Sequence, residues 1–376
     1  MPFLRRLTSA LLLASIPVLA QAGPPPFSTA TCAVTLDGVR LGSALTPGGA
    51  SLRNTFAYEP ATHRYHFWGF AADDANWPSA ASSLRGVVHA VAQDGVHFTS
   101  DSNLSYAFGS ADYHAYGSTI DPPLDFLRAV FDTDSGSWKL FAWTENVGSP
   151  VGSYNYNSSV SDLGTLAGTT SVQHQGPLSG SVAGNHVGTF GLVDGQLYLR
   201  VDSATGGNGR FDYTDGMPAS YGAMLNEADL YAGTPYCWGL DPACGTTDPR
   251  IRAYVHNVGR TLKQADGTLA TYYAFRDWNT AARLDKQIWT VESTDGGATW
   301  SAPAGTFSDA GAITLDGVPL AADGNFSSPD VVVAPGVCRG YFSTKDADGK
   351  YVVAGATTGS ACDALFVDGF EMHCGE

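Results

Sequence analysis

Positive charge is scarce in this chain. Its 376 residues carry 20 Lys and Arg against 36 Asp and Glu, a formal net charge of −16. Nucleic-acid binding needs a basic footprint, and anionic membranes attract one, so neither partner is expected. Charge of either sign is thin, at 15%. Helical periodicity is nearly missing. The best stretch is residues 221–231 (YGAMLNEADLY), a short candidate helix. There is no G-x-S-x-G, H-E-x-x-H, phosphate loop or dinucleotide fingerprint, which sets aside several hydrolase and nucleotide-binding classes. The six Cys show no C-x-x-C spacing, and no His pair has a metal-ligand spacing, so no metal site is indicated. Beyond the N-terminus no run is apolar enough to span a bilayer.

What is present begins with an export signal. Arg5 and Arg6 form a basic n-region, residues 7–20 an apolar one, and Ala20-Gln21-Ala22 an A-x-A cleavage site. Cleavage after Ala22 implies a secreted or periplasmic bacterial protein. Without Arg5 and Arg6 the formal charge of −16 becomes −18. Six cysteines in an exported chain pair as disulfides. Cys237 and Cys244 bracket WGLDPA and would staple one loop. Cys32 lies near the mature start, and Cys338, Cys362 and Cys374 near the end. A bond from Cys32 to one of these would clasp the chain ends together.

Abundant Gly, Ser, Thr and aromatics suit an all-β protein rich in tight turns. One pattern occurs five times: an extended apolar run, a turn, then an aromatic-rich strand. The copies open near Arg53, Ile120, Gly184, Thr247 and Phe326, at spacings of 67, 64, 63 and 79 residues. Repeats of this length made of four strands predict a five-bladed β-propeller of four-stranded antiparallel blades. It would span residues 23–361, with 362–376 as a C-terminal tail or ring-closing segment. The fifth copy is short of strands after Ala354. The segment CAVTLDGVRLG (32–42) could supply the missing outer strand and leave no free edge.

Residues 293–300 (STDGGATW) match S-x-D-x-G-x-T-W at every defined position. They resemble the Asp-box of sialidases and related propellers. Physically this is a self-sealed turn: Asp295 accepts backbone N–H groups, glycines take positive φ, and Trp300 tucks beneath. Asp94-Gly95-Val96-His97-Phe98 is a looser relative. Both are read as structural.

In a propeller the starts of the innermost strands and the loops joining second to third strands share one face, and function favours such loops. That face would carry Arg53 and Asn54, Asp121, Asn185 and His186, Asp248, and Asp330. The neighbouring loops would add Trp77, Glu145, Tyr154, Tyr156, Arg210, Arg276, Asp277 and Trp278. Carboxylates converging on one funnel split acid and base duties by mutual repulsion. Aromatic side chains among them suit the apolar faces of sugar rings. The expected catalytic set is Asp121, Asp248 and Asp330, with Glu145 or Glu227 as proton donor. Arg53, Asn54, Trp77, His186, Arg276, Asp277 and Trp278 would bind substrate. An oxygen-rich ring centre suits calcium, and no other cofactor is implied.

Asp-Pro at innermost-strand starts and the D-G-x-H-F turn make the chain similar to five-bladed glycoside hydrolases of the arabinanase, xylosidase and fructosidase type. That resemblance implies a base or nucleophile Asp in the first blade, an assisting Asp in the second and an acid Glu in the third. Asp121 matches the assisting Asp. Asn54 stands where the first Asp is implied, and Asn185 and His186 where the Glu is implied. The reading is therefore a monomeric carbohydrate-active protein, a glycoside hydrolase. The alternatives are a lectin-like binder and a surface-adhesion propeller.

Overall fold

The computed structural model describes residues 27–42, 55–72, 84–101, 106–107, 126–132, 137–144, 152–157, 186–193, 196–202, 207–214, 217–218, 222–226, 230–239, 241–256, 261–264, 266–277, 285–334 and 337–358. The described residues are all-β: strands linked by turns, with short 3-10 turns such as Ala310–Ala312 and no α-helix. Within the candidate helix at 221–231, the described piece Gly222–Asn226 is instead a strand, paired with Gly207–Thr214. Its short apolar periodicity is overridden by an available strand edge, as tertiary pairing commonly overrides weak local preference.

The described strands form five sheets. Their first long strands are Thr55–Glu59, Phe126–Asp132, His186–Val193, Ile251–His256 and Ser327–Ala334. Each sheet packs on the next through these or adjoining strands, and the fifth packs back on the first. The fourth copy starts later than the sequence suggests, at Ile251. Pro249 lacks the N–H a ladder needs, so pairing begins beyond it. Tyr154 and Tyr156 belong to strand Gly152–Asn157, and Arg210 to Gly207–Thr214, not to loops.

The segment expected to complete the fifth sheet is divided between two. Ala30–Ala33 pairs antiparallel with Tyr351–Thr357 of the fifth sheet. Thr35–Leu36 then runs parallel to His97–Ser100 of the first, in register Thr35↔His97. One short piece of chain thus ties the last sheet to the first.

Aromatic packing fills the seams. Over residues 65–69 of the strand Arg64–Ala72 both faces are buried, so alternate residues serve different neighbours. Tyr65 and Phe67 join Phe56, Phe98, Val332 and Tyr341 at the seam of the first and fifth sheets. There the Phe56 and Tyr341 rings stack with centroids 3.8 Å apart. A second cluster around Phe307, Phe326 and Phe342 fills the seam of the fourth and fifth. Each fully buried ring contributes about 2–3 kcal/mol of transfer free energy.

The turn at residues 293–300 closes on itself. Asp295 accepts from the Ser293 hydroxyl and from the Thr299 amide and hydroxyl. These donors hold its carboxyl down at about 2. Gly296 and Gly297 have φ of 73° and 92°, and the Trp300 indole N–H donates to the Gly297 carbonyl. The related turn at Asp94 works alike: its Oδ1 accepts from the Val96 and His97 amides.

Candidate functional site

The end where the first strands begin is the candidate site. In the fourth sheet, strand Leu269–Asp277 returns to that end, with Asp277 paired to Ala253, and Trp289–Ser293 leaves from it. Residues 285–288 therefore sit at the mouth. The backbone N–H of Phe326, just before the fifth sheet's first strand, donates to the Asp285 carbonyl at 2.9 Å. The mouth residues of the fourth and fifth sheets are thus adjoining.

Asp330 is 2% exposed. Its Oδ2 accepts from the Thr55 hydroxyl at 3.1 Å and the Phe56 amide at 2.8 Å. The Thr55 hydroxyl oxygen in turn accepts the Ala129 amide at 2.9 Å. This relay joins the fifth, first and second sheets, so Asp330 is a ring fastener in this arrangement. Asp248 lies in the turn before the strand Ile251–His256. It accepts the Arg250 amide and binds the Arg250 guanidinium through both oxygens, at 2.7 Å to Nη2. The Arg250 side chain and amide hold its carboxyl below the usual range. Arg250 also donates to the Tyr231 carbonyl, and the Cys237–Cys244 disulfide staples the loop as expected.

Arg276 and Asp277 are half-buried at the end of their strand, opposite Tyr254 and Ala253. His186 opens its strand opposite Asp202. Asp121, Glu145, Glu227, Arg53, Asn54, Trp77 and Trp278 lie outside the described residues. Among the described residues, no group of three or more His, Cys, Asp and Glu could hold a metal ion, and no helix is long and apolar enough to cross a membrane.

One carboxylate at this end escaped the sequence reading. Asp285 Oδ2 accepts from the Tyr236 hydroxyl at 2.6 Å and from the Trp289 indole at 3.4 Å. Its Oδ1 accepts, among the described residues, the Gln287 amide at 3.2 Å. Tyr236, Phe275 and Trp289 form a ring cluster around it, with Tyr236 and Phe275 centroids 4.5 Å apart. Burial pushes the Asp285 carboxyl up, against the pull of its three donors. Burial likewise raises the Tyr236 phenol, which stays protonated and donates. The available signal was the spacing Asp285–Trp289 at a strand start, beside the already noted Arg276, Asp277 and Trp278.

No protein-family model matches this sequence, and no curated protein matches it. Solved structures do. A family 117 glycoside hydrolase of the marine bacterium Zobellia galactanivorans is similar at 12% identity and TM-score 0.50, over 92% of each chain. An endo-arabinase from Bacteroides thetaiotaomicron is similar at 11% identity and TM-score 0.48, over 84% of this chain and 96% of that one. The Cellvibrio cellulosa α-L-arabinanase, in complex with arabinohexaose, is similar at 9% identity and TM-score 0.48, over 81% and 90%. The structure described for each is that of a glycoside hydrolase or arabinanase. At such identities the likeness is one of fold.

Proposed function

We propose that this chain is an exported five-bladed β-propeller that hydrolyses glycosidic bonds in a poly- or oligosaccharide by carboxylate acid/base chemistry. The observation that carries the reading is the Asp285 carboxyl, half-buried among Tyr236, Phe275 and Trp289 at the strand-start end. Carboxylates beside aromatic faces are what sugar recognition and glycoside cleavage both require. The likeness of fold to glycoside hydrolases supports the reading, as do the export signal and the disulfide. The turn at residues 293–300 fits a structural Asp-box.

A second reading, a lectin-like binder, is favoured by a specific observation. Asp248 and Asp330, two of the expected catalytic acids, are already engaged by Arg250 and by Thr55 and Phe56. A direct assay separates the two. The purified chain lacking residues 1–22 is incubated with arabinan, xylan, β-1,3-galactan and levan, and reducing ends and binding are measured. Release of new reducing ends supports the hydrolase. Binding without release turns the conclusion to the lectin-like reading, and neither result on any glycan overturns both.

A further inference from the structure

We propose that Asp285 is the proton donor of this site, an inference that rests on the hydrolase reading above. Three features of its setting point to it. It stands at the mouth, in the segment joining the second and third strands of the fourth sheet and beside the start of the fifth. Its two oxygens are unequal. Among the described residues, Oδ2 accepts a short bond from the Tyr236 hydroxyl and a longer one from Trp289, whereas Oδ1 accepts one bond, from the Gln287 amide. A proton therefore belongs on Oδ1. Burial beside the aromatic rings disfavours the charged form and pushes the carboxyl up, the direction a proton donor needs. Among the described residues the other raised carboxyl, Glu292, is bonded to Gln264 and pairs with Ala270, farther along its strand and away from the mouth.

The chemistry balances as follows. The Asp285 Oδ1 proton passes to the glycosidic oxygen as the bond from that oxygen to the anomeric carbon breaks, and the bonding pair stays with the departing oxygen. Water adds to the anomeric carbon. The proton that water sheds returns through solvent to the Asp285 carboxylate. Tyr236 is the positioning residue: its hydroxyl fixes Oδ2 and stabilises the anion left after proton transfer.

The test compares leaving groups. Wild type, Asp285→Asn and Tyr236→Phe are assayed on arabinan, xylan and β-1,3-galactan, and on 2,4-dinitrophenyl glycosides of arabinose, xylose and galactose. Dinitrophenolate departs without a proton. Asp285→Asn should lose about 10²–10⁴-fold in kcat/KM on the polysaccharide and far less on the dinitrophenyl glycoside. It should also lose the fall in rate at high pH that marks an acid. Tyr236→Phe removes a donor that lowers the Asp285 carboxyl, so that fall should move to higher pH. Equal activity of Asp285→Asn and wild type on both substrates overturns the assignment. So does an equal loss on both, which is the mark of a structural residue, and so does an unmoved pH profile in Tyr236→Phe. If the wild type cleaves nothing, the hydrolase reading fails first and the proposal falls with it.

Discussion

His66 and His89 meet on neighbouring strands of the first sheet, Nδ1 to Nε2 at 2.9 Å, both buried and packed on Trp68. Nearby charged groups are Glu59, 3.2 Å from His66 Nε2, Asp101, 3.7 Å from His89 Nδ1, and Arg64. Burial dominates and lowers both imidazoles, His89 from 6.5 to about 3. A base with a lowered folded pKa leaves the unfolded chain binding more protons. The pair's contribution to stability is therefore intact above about pH 6.5 and is lost as pH falls toward 3. Across that window His89 can add a slope of up to about 1.4 kcal/mol per pH unit, and His66 acts in the same direction. The melting temperature of the wild type should drop steeply between pH 6 and 4, and His89→Gln should flatten the curve. Parallel curves for the two proteins would disprove the role of this pair.

At the scale of elements, the strands and turns were legible where local chemistry alone decides them. VVHAV and IWTVE lie within the strands Leu84–Ala92 and, but for Ile288, Trp289–Ser293. QADG and DADG are turns with Gly267 and Gly349 at φ 88° and 77°. Pairing between distant pieces was not legible. TLDGV occurs at 35–39 and again at 314–318, and both copies fold as two-residue hairpins. Asp37 and Asp316 take φ of 50°, and Gly38 and Gly317 take 78° and 77°, as the Asp-Gly turn of a right-twisted hairpin demands. Each hairpin adds a parallel strand to a neighbouring piece of sheet, in register Thr35↔His97 and Ala30↔Thr314. Each Asp then reaches across: Asp37 accepts from Ser100, and Asp316 from the Ala33 amide and Arg40. The repetition was visible in the letters, but its partners lie up to 283 residues away. Asp316→Ala should cost about 2 kcal/mol, combining left-handed strain with the lost acceptor. Asp316→Asn, which tolerates that backbone and keeps an oxygen, should cost less than half as much. Chemical denaturation of the two variants reads the difference, and equal losses would sink the argument.

At the scale of the whole molecule, the same physics explains why acids were easier to find than to interpret. Asp330 was visible as an Asp at the start of the fifth copy, yet its donors, Thr55 and Phe56, come from the first. The closure that engages it depends on chain ends meeting. Covalent bonds act on that closure too. Cys32 and Cys338 are both disulfide-bonded, and no described cysteine is free. They do not bond each other. Cys32 is paired to Gly355, and Gly355 to Tyr341, three residues from Cys338. Two strand spacings and three residue rises put them about 14 Å apart, twice the roughly 7 Å a disulfide spans. With Cys237 and Cys244 joined, the remaining cysteines are Cys362 and Cys374, outside the described residues. Proteolysis without reductant, followed by mass spectrometry, should thus find Cys32 and Cys338 in two separate cross-linked peptides, each ending in one of these two. A Cys32–Cys338 peptide would refute the register argument. Cys32→Ser should cost about 2–5 kcal/mol, because a bond between chain ends closes a very long loop in the unfolded chain. That loss should vanish when wild type and variant are compared in reductant, since the wild type then lacks the same bond.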